Sequence, residues 1–296
     1  MALFLDAHHI ARLHAEGHAG IADYVDAIER AYRDQGEGRL QLLPRQNFWW
    51  AGADAANRGP SLKLAAAVLE GVGVIGVPMY TAGFRPGAIE LWIALYSAKT
   101  GDLLAHFHGQ ALSLWKTGAT AAMAARHLAR ADAATVGMIG TGQYARTQLL
   151  GLAAVRPIRE LRCYSRNPEG RESFAAWARN AVPGLDARPV ASARAAAENA
   201  DIVVTVTTSK TPVLEGAWLA PGTHCNLVGM HYPETREADT ETIRRARVIV
   251  DDLDQAWGEK GEIMMPLAAG EIARDHVAGD IGSVIAGRIP GRREAG

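Results

Sequence analysis

The sequence has little cysteine and almost no net charge. Its 296 residues include two cysteines, Cys163 and Cys225, whose separate apolar surroundings match neither a disulfide framework nor a zinc-binding spacing. A formal net charge of −1 with 21% charged residues gives no reason to expect a nucleic acid or an anionic membrane as partner. Because scarce cysteine is typical of a reducing compartment, we expect a cytoplasmic protein.

Long apolar runs are also missing. No stretch approaches the length of a membrane span, and the first twenty residues carry Asp6, Arg12 and Glu16, which a signal peptide would not place in its apolar core. Internal repeats and low-complexity segments are absent. The length allows two domains with large cores.

The hydrophobic pattern changes along the chain. Apolar spacing predicts helix up to about residue 36, and shorter strand-like segments follow from Leu40 to Phe107. An alanine-rich helix is predicted to start near Lys116, and beyond it strands, among them "RVIVDD", alternate with helices, which implies a parallel sheet covered on both faces. We predict an α/β fold with an N-terminal α+β domain (1–115), a doubly wound parallel-sheet domain (116–290) and a frayed tail (291–296).

Two glycines and an alanine occupy the spacing Gly140-x-Gly142-x-x-Ala145 between a predicted strand and a predicted helix. Unpaired N–H groups at a helix start attract phosphate, glycines let the backbone approach it, and a small third residue lets helix and strand pack closely. A purely structural turn is the alternative, but the flanking strand and helix favour nucleotide binding. We therefore predict a Rossmann-type domain with cofactor-binding residues Gly140, Thr141, Gly142, Gln143, Tyr144 and Ala145.

Several motifs together resemble the ornithine cyclodeaminase and μ-crystallin family. They run in order from about Pro44 to Arg293: "LPRQ", "SLKL", "KTGATAAMAARHLA", "GMIGTGQYA", "ADIVVTVTTSKTPVLEGAWLAPGTHCNLVGM" and "IGSVIAGRIPGR". The resemblance implies an N-terminal domain for substrate binding and dimerisation, a nicotinamide-binding Rossmann domain, and a small α-imino or α-amino acid as substrate. It implies a homodimer as well.

The chain departs from this family pattern in three places. Lys116 stands where the family usually has arginine, and "GMHYP" offers His231 where cyclodeaminases carry a catalytic aspartate. The sequence also stops at Gly296, before the strand and helix with which the family usually returns to its first domain.

The resemblance implies that Arg45, Lys63 and Lys116 bind the substrate carboxylate, although each alone would be read as an ordinary surface cation. Arg45 can bind a carboxylate bidentately, and a lysine at a helix start, as expected for Lys116, would gain from the helix dipole. Lys63, close to other cations and partly buried, would have a lowered pKa and is the candidate acid/base. His231 is a candidate proton donor, or a hydrogen-bonding residue in the wall of the substrate pocket.

The choice of cofactor is expected to depend on the end of the second strand of the Rossmann domain. Ser165, Arg166 and Asn167 stand there without the acidic residue that binds the ribose hydroxyls of NAD, which favours NADP(H), with NAD(H) as the alternative. The nicotinamide pocket is predicted to be lined by Thr205, Val206, Thr207, Thr208 and Met230. His14 and His18 lack a carboxylate or third ligand, so no metal site is predicted.

Three functions remain open from the sequence. The first is an NAD(P)H-dependent oxidoreductase, either a ketimine or imine reductase or an amino-acid dehydrogenase. The second is a redox-neutral, ammonia-releasing ornithine cyclodeaminase, weakened by His231 in place of aspartate. The third is a non-catalytic μ-crystallin-like binding protein, which would not need the complete set of cations.

Overall fold

A computed structural model describes residues 2–50, 52, 59–84, 89–229 and 232–292. Its first elements are strand β1 (Leu3–Leu5) and helices α1 (Ala7–Ala15) and α2 (Ile21–Gly36). The predicted helical region therefore contains two helices, as its apolar spacing indicates, but also a strand that the sequence analysis missed. Three residues are too few to show a strand periodicity.

A six-stranded sheet follows, in the order β1-β6-β5-β4-β3-β2. Its strands β2 to β6 are antiparallel neighbours, and β1 pairs parallel with β6. The register of β2 against β3 shifts between Leu43 and Gln46, so Arg45 lies at an irregularity that bends the strand. The predicted strand region is confirmed, with bounds β2 (Leu40–Trp49), β3 (Ser61–Leu69), β4 (Val74–Ala82), β5 (Ile89–Ser97) and β6 (Leu103–His108).

Helix α3 (Gln110–Leu128) connects this sheet to the rest of the chain. It starts before Lys116, because "QALSLW" continues the helical spacing of the alanine-rich run. The predicted boundary between residues 115 and 116 thus falls inside one helix, and the division into two domains remains a prediction. A Cβ at Gly118 would overlap with the carbonyl of Thr147, so the backbone of α3 is in direct contact with the backbone of the helix that contains Thr147.

The second sheet has five parallel strands in the order β11-β10-β7-β8-β9. Helices α3, α4 and α5 cover one face of it, while α6 covers the other. The predicted Rossmann-type, doubly wound sheet is confirmed, and β9 is a strand that the sequence analysis missed. The elements are β7 (Thr135–Ile139), α4 (Gln143–Val155), β8 (Glu160–Tyr164), α5 (Pro168–Ala181), β9 (Asp186–Pro189), α6 (Ala193–Ala197), β10 (Ile202–Thr205) and β11 (His224–Leu227).

The last elements form a separate small unit beside the second sheet. Strand β12 was expected in the large parallel sheet, but it pairs instead with β13 in a two-stranded sheet, which corrects that prediction. The final helix, α10, packs on α2, where a Cβ at Gly36 would overlap with the carbonyl of Gly282. The elements are α7 (Thr240–Arg245), β12 (Val248–Val250), α8 (Leu253–Glu259), α9 (Gly261–Ala268), β13 (Val277–Asp280) and α10 (Ile281–Ile285).

Two residues of the predicted tail are hydrogen-bonded. Arg247 donates to the carbonyl of Gly291 at 2.9 Å, and Arg292 donates to the carbonyl of Leu128 at 2.6 Å. Residues 293–296 lie outside the described part, so the predicted fraying there stays a prediction. Within the described ranges no helix combines the length and apolar composition needed to cross a membrane.

Candidate active site

The glycine turn lies between β7 and α4, as the sequence predicts. Gly140 has a φ of 106°, and a Cβ there would overlap with the carbonyl oxygen of Val206, so only glycine fits. Gly142 caps α4 without a side-chain hydrogen bond, and nothing lies within 4 Å of where its Cβ would be. Uncapped helix N–H groups next to open space fit the phosphates of a dinucleotide. Ala145 is fully buried against the sheet, as close packing of helix and strand requires.

The other residues of the turn lie at its surface. Gln143 is the first residue of α4, and the Tyr144 side chain is 37% exposed. Thr141 Oγ1 donates to Ser165 Oγ at 2.9 Å, which connects the turn to the end of β8. The carboxyl edge of the sheet therefore carries the residues predicted to bind the cofactor.

The end of β8 presents one exposed arginine. Arg166 is exposed to solvent, while Asn167 accepts a hydrogen bond from a backbone N–H of α5 and caps that helix. Ser165 Oγ donates to the carbonyl of Asn167 at 3.0 Å. Arg171, which the sequence analysis missed, donates to the carbonyl of Ser165 at 3.2 Å. A second guanidinium thus lies beside Ser165 at the end of β8.

The end of β10 lies directly against the glycine turn. Thr205 is fully buried, the carbonyl of Val206 faces Gly140, and Thr208 is exposed. The backbone N–H of Thr207 donates to a carboxylate that the sequence analysis missed, Glu237, at 2.6 Å.

Two predicted site residues, Met230 and His231, lie outside the described residues. Met230 is predicted to line the nicotinamide pocket, and His231 is predicted to donate a proton or a hydrogen bond near the substrate. Both roles therefore remain predictions.

Arg45 and Lys63 lie on neighbouring strands of the first sheet and share one neighbour, Tyr80. Arg45 Nη1 donates to Oε1 and Oε2 of Glu259, each at 3.2 Å. Lys63 is buried, and its ammonium lies 5.8 Å from the centre of the Tyr80 ring. Burial raises the pKa of Tyr80, and the nearby positive charge of Arg45 opposes this shift. Tyr80 therefore lies close to both cations.

Lys116 lies in the second turn of α3, which corrects the prediction that it stands at a helix start. The proposed help from the helix dipole and free N–H groups therefore does not apply. Lys116 lines a deep cleft, where solvent reaches its side chain but protein surrounds it. Loss of solvation lowers its pKa; Asp251 opposes this shift, and the positive charges of Lys260 and Arg45 add to it.

The cleft has a volume of about 900 Å³ and brings Arg45 and Lys116 together. Its walls come from α3, the outer edge of β11 and the segment after β12. That segment adds Asp251, Glu259 and Lys260, with Lys260 Nζ 3.7 Å from Asp251 Oδ2. The sequence analysis missed these three, although the charged run "DDLDQAWGEKGE" directly after a strand was a signal for them.

Comparison with known proteins identifies the family. The profile of the ornithine cyclodeaminase/mu-crystallin family matches residues 9–296. The chain belongs to this family.

Family relatives also share the fold. An alanine dehydrogenase of Archaeoglobus fulgidus is 29% identical over 270 residues, which are 90% of this chain and 80% of that protein. The structure of Thermococcus litoralis Δ1-pyrroline-2-carboxylate reductase in complex with NADH and L-proline matches with a TM-score of 0.89 and 28% identity, covering 99% of this chain and 89% of that one. An archaeal alanine dehydrogenase dimer with bound NAD gives the same TM-score, 0.89, and the same identity, 28%, with 99% and 88% covered.

Other family relatives are matched over less of their length. The chain spans 61% of two curated relatives, from Schizosaccharomyces pombe and Rhizobium meliloti. The reductase and the dehydrogenases named above are oxidoreductases, and their structures hold NADH or NAD. The family to which this chain belongs thus includes NAD(P)-dependent oxidoreductases of imino and amino acids.

Proposed function

We propose that the chain is an NAD(P)H-dependent oxidoreductase that reduces a small α-imino acid or oxidises the corresponding α-amino acid. The observation that carries this proposal is the position of Arg45, which lines the cleft together with Lys116 and also lies close to Tyr80, the residue next to the Lys63 ammonium. Arg45 keeps further N–H donors beside its pair with Glu259, and a substrate carboxylate could accept from them and from Lys116.

Arg45 and Lys116 would hold the carboxylate and so orient the neighbouring carbon. Glu259 fixes the Arg45 guanidinium from one side, which leaves a planar donor of defined direction. A bound nicotinamide supplies or accepts the hydride at that carbon.

Lys63 would exchange the proton of the substrate nitrogen. It is buried on β3 beside Tyr80, which also lies close to Arg45, and a lysine ammonium is a suitable proton donor. Reduction of a protonated imine needs little beyond a hydride and a bound carboxylate. The proposed role of Lys63 is therefore to keep the imine nitrogen protonated.

The cofactor is proposed to be NADP(H) rather than NAD(H). Support comes from exposed Arg166 and from Arg171, whose guanidinium lies next to Ser165 at the end of β8. A guanidinium binds a 2′-phosphate through charge-assisted hydrogen bonds.

The test is a turnover screen with NADPH. We expect cofactor oxidation with Δ1-pyrroline-2-carboxylate or Δ1-piperideine-2-carboxylate, and little with 1-pyrroline, the matched ring without a carboxylate. Ornithine with NAD should release no ammonia. Proline and ammonia formed from ornithine would establish the cyclodeaminase instead, and NADPH binding without turnover of any imino acid would establish a binding protein.

The assembly is proposed to be a homodimer formed through the first sheet. Phe4, Met79 and Leu103 are 63%, 46% and 39% exposed, and they surround an apolar groove on the outer face of that sheet. The archaeal alanine dehydrogenase was solved as a dimer. Light scattering should give twice the mass of one chain, and Met79→Glu should give the monomer; a monomeric wild type at micromolar concentration would contradict the proposal.

A further inference from the structure

Glu237 is a carboxylic acid buried next to the second sheet. Its side chain is 1% exposed. Oε1 accepts the backbone N–H of Thr207, while Oε2 has no hydrogen-bond partner. Within the described residues no arginine, lysine or histidine forms a salt bridge with it. A buried carboxyl group with one hydrogen bond to its oxygens and no cationic partner requires an explanation.

Contacts of Glu237 reach the ends of two neighbouring strands. Thr207, its hydrogen-bond donor, follows β10 and abuts Gly140 of the glycine turn. Gly229 follows β11, and a Cβ there would overlap with the Glu237 carboxyl group. Glu237 therefore fills the space between the two loops that end at the carboxyl edge of the sheet.

A third contact extends toward the cleft. The backbone N–H of Glu237 donates to Glu262 Oε1 at 3.0 Å, and Glu262 lies in α9 among the residues that line the cleft. Glu237 thus contacts Thr207, which abuts the glycine turn, Gly229 after β11, and Glu262, which lines the cleft together with Glu259 and Lys260.

The surroundings of Glu237 favour a neutral carboxyl group. Burial raises its pKa most; the hydroxyl of Thr205 and both the backbone and side chain of Thr207 oppose the shift, and the negative charge of Glu262 adds to it. The groups facing it are therefore two threonines on β10, the Gly229 backbone after β11 and a like charge on α9. With Oε1 occupied by an N–H donor, the proton belongs on Oε2.

We propose that Glu237 is a positioning residue that, as a neutral acid, holds Thr207 after β10 and Gly229 after β11 in the positions that bind the nicotinamide end of the cofactor. The inference rests on the proposed cofactor site. Ionisation would place a charge with no cationic partner between the two loops and favour their rearrangement, so cofactor binding would weaken as the pH rises past the raised pKa of Glu237.

The experiment compares wild type with Glu237→Gln, whose amide keeps one acceptor and gains donors without charge. NADPH dissociation constants are measured by fluorescence from pH 6 to pH 10 without substrate. At the acidic end of the range the two proteins should bind within about twofold of each other; as the pH rises the wild type should lose about tenfold or more, while Glu237→Gln stays flat. Identical pH profiles would overturn the inference.

Glu262→Gln serves as the second variant. It keeps an oxygen for the Glu237 N–H but removes the like charge, so the pKa of Glu237 falls and the loss of NADPH affinity should move to lower pH. A purely structural role for Glu237 predicts no such movement. An unmoved profile would show that Glu262 does not act on this titration and would overturn the inference.

Thermal unfolding separates this inference from the proposed function. An acid with a raised folded-state pKa binds a proton on folding, so stability falls as pH rises from the ordinary glutamate range to the raised value. Wild type should show this fall relative to Glu237→Gln, with or without cofactor. If neither protein binds NADPH, the proposed function and the cofactor role of Glu237 both fail; if NADPH binds but the unfolding profiles coincide, the inference alone fails.

Discussion

Arg45 Nη1 lies 3.2 Å from both carboxylate oxygens of Glu259, and the two side chains are only 25% and 24% exposed. The pair comes from a strand of the first sheet and from the end of α8, so it connects the two parts of the chain across the cleft. A guanidinium carries several further donors, so Arg45 can be fixed by Glu259 and still bind a second carboxylate.

Arg45→Lys should raise KM for the imino acid with little change in kcat. Lysine is a point charge that cannot match a carboxylate bidentately, and loss of a charge-assisted hydrogen bond costs about 1.5–3 kcal/mol, or roughly 10- to 100-fold in KM. Steady-state kinetics with saturating NADPH measures this. Arg39→Lys is the matched control, because Arg39 pairs with Asp34 outside the cleft. An equal effect of both changes would argue against a carboxylate at Arg45.

Binding of the substrate carboxylate should weaken at alkaline pH through Lys116. Because loss of solvation lowers its pKa, Lys116 gives up its proton at lower pH than an ordinary lysine, and KM should rise as it does so. Lys116→Arg keeps its charge throughout and should abolish this rise in KM measured with saturating cofactor. The same alkaline rise in both proteins would assign it to another group.

Lys63→Ala should lower kcat by about 10² to 10⁴, the usual range for a lost acid/base group. The alanine also leaves a buried gap beside Tyr80, so Lys63→Met is needed to keep the packing while removing the ammonium. Both variants should lose the rate to a similar degree, whereas only alanine should lower the melting temperature clearly. Full activity in Lys63→Met would remove Lys63 from the mechanism.

The two glycines of the turn should respond differently to alanine. Gly140→Ala forces a φ of 106° on alanine and overlaps with Val206, so it should destabilise the fold by on the order of 1–3 kcal/mol or more. Gly142 has an ordinary φ of −75° and open space at its Cβ position, so Gly142→Ala should keep the melting temperature. It should nonetheless weaken NADPH binding about tenfold, because the methyl group occupies the path of the phosphates. Unchanged binding would place the phosphates elsewhere.

Arg166→Asp should reverse the cofactor preference from NADPH to NADH. Removing a charge-assisted hydrogen bond to the 2′-phosphate costs about 1.5–3 kcal/mol, and the new carboxylate repels the phosphate. Arg194→Asp, at another exposed arginine on α6, is the control and should leave both dissociation constants unchanged. Equal affinities for NADPH and NADH in wild type and in Arg166→Asp would show that Arg166 does not contact the cofactor.

The fold was predictable wherever a local pattern determined it. The glycine turn needs both φ > 0 at Gly140 and space at Gly142, and such requirements appear directly as residue types at fixed spacing. The start of α3 was misplaced because alanine content, rather than apolar spacing, was taken as its beginning. The pairing of β12 with β13 could not be read from "RVIVDD", because strand composition does not specify a partner.

The candidate site was predictable only for the residues that belong to motifs. Arg45, Lys63 and Lys116 stand in recognisable sequences, whereas Tyr80 and Glu259 come beside Lys63 and Arg45, respectively, through tertiary packing. Glu237 could not be predicted for a different reason, because nothing in "ETREAD" distinguishes a buried glutamate from a solvated one. Burial and the chemistry that follows from it are properties of the folded chain.

The contact between Gly36 in α2 and Gly282 in α10 has a consequence for how the protein is made. During synthesis α2 is among the first helices to leave the ribosome, but its apolar face, including Val25, is completed only by Ile281 and its neighbours near the other end. Closing so long a loop is slow, and the apolar face of α2 stays exposed until almost all of the chain has been synthesised. The nascent protein should therefore rely on chaperones longer than its short-range β-meander alone would require.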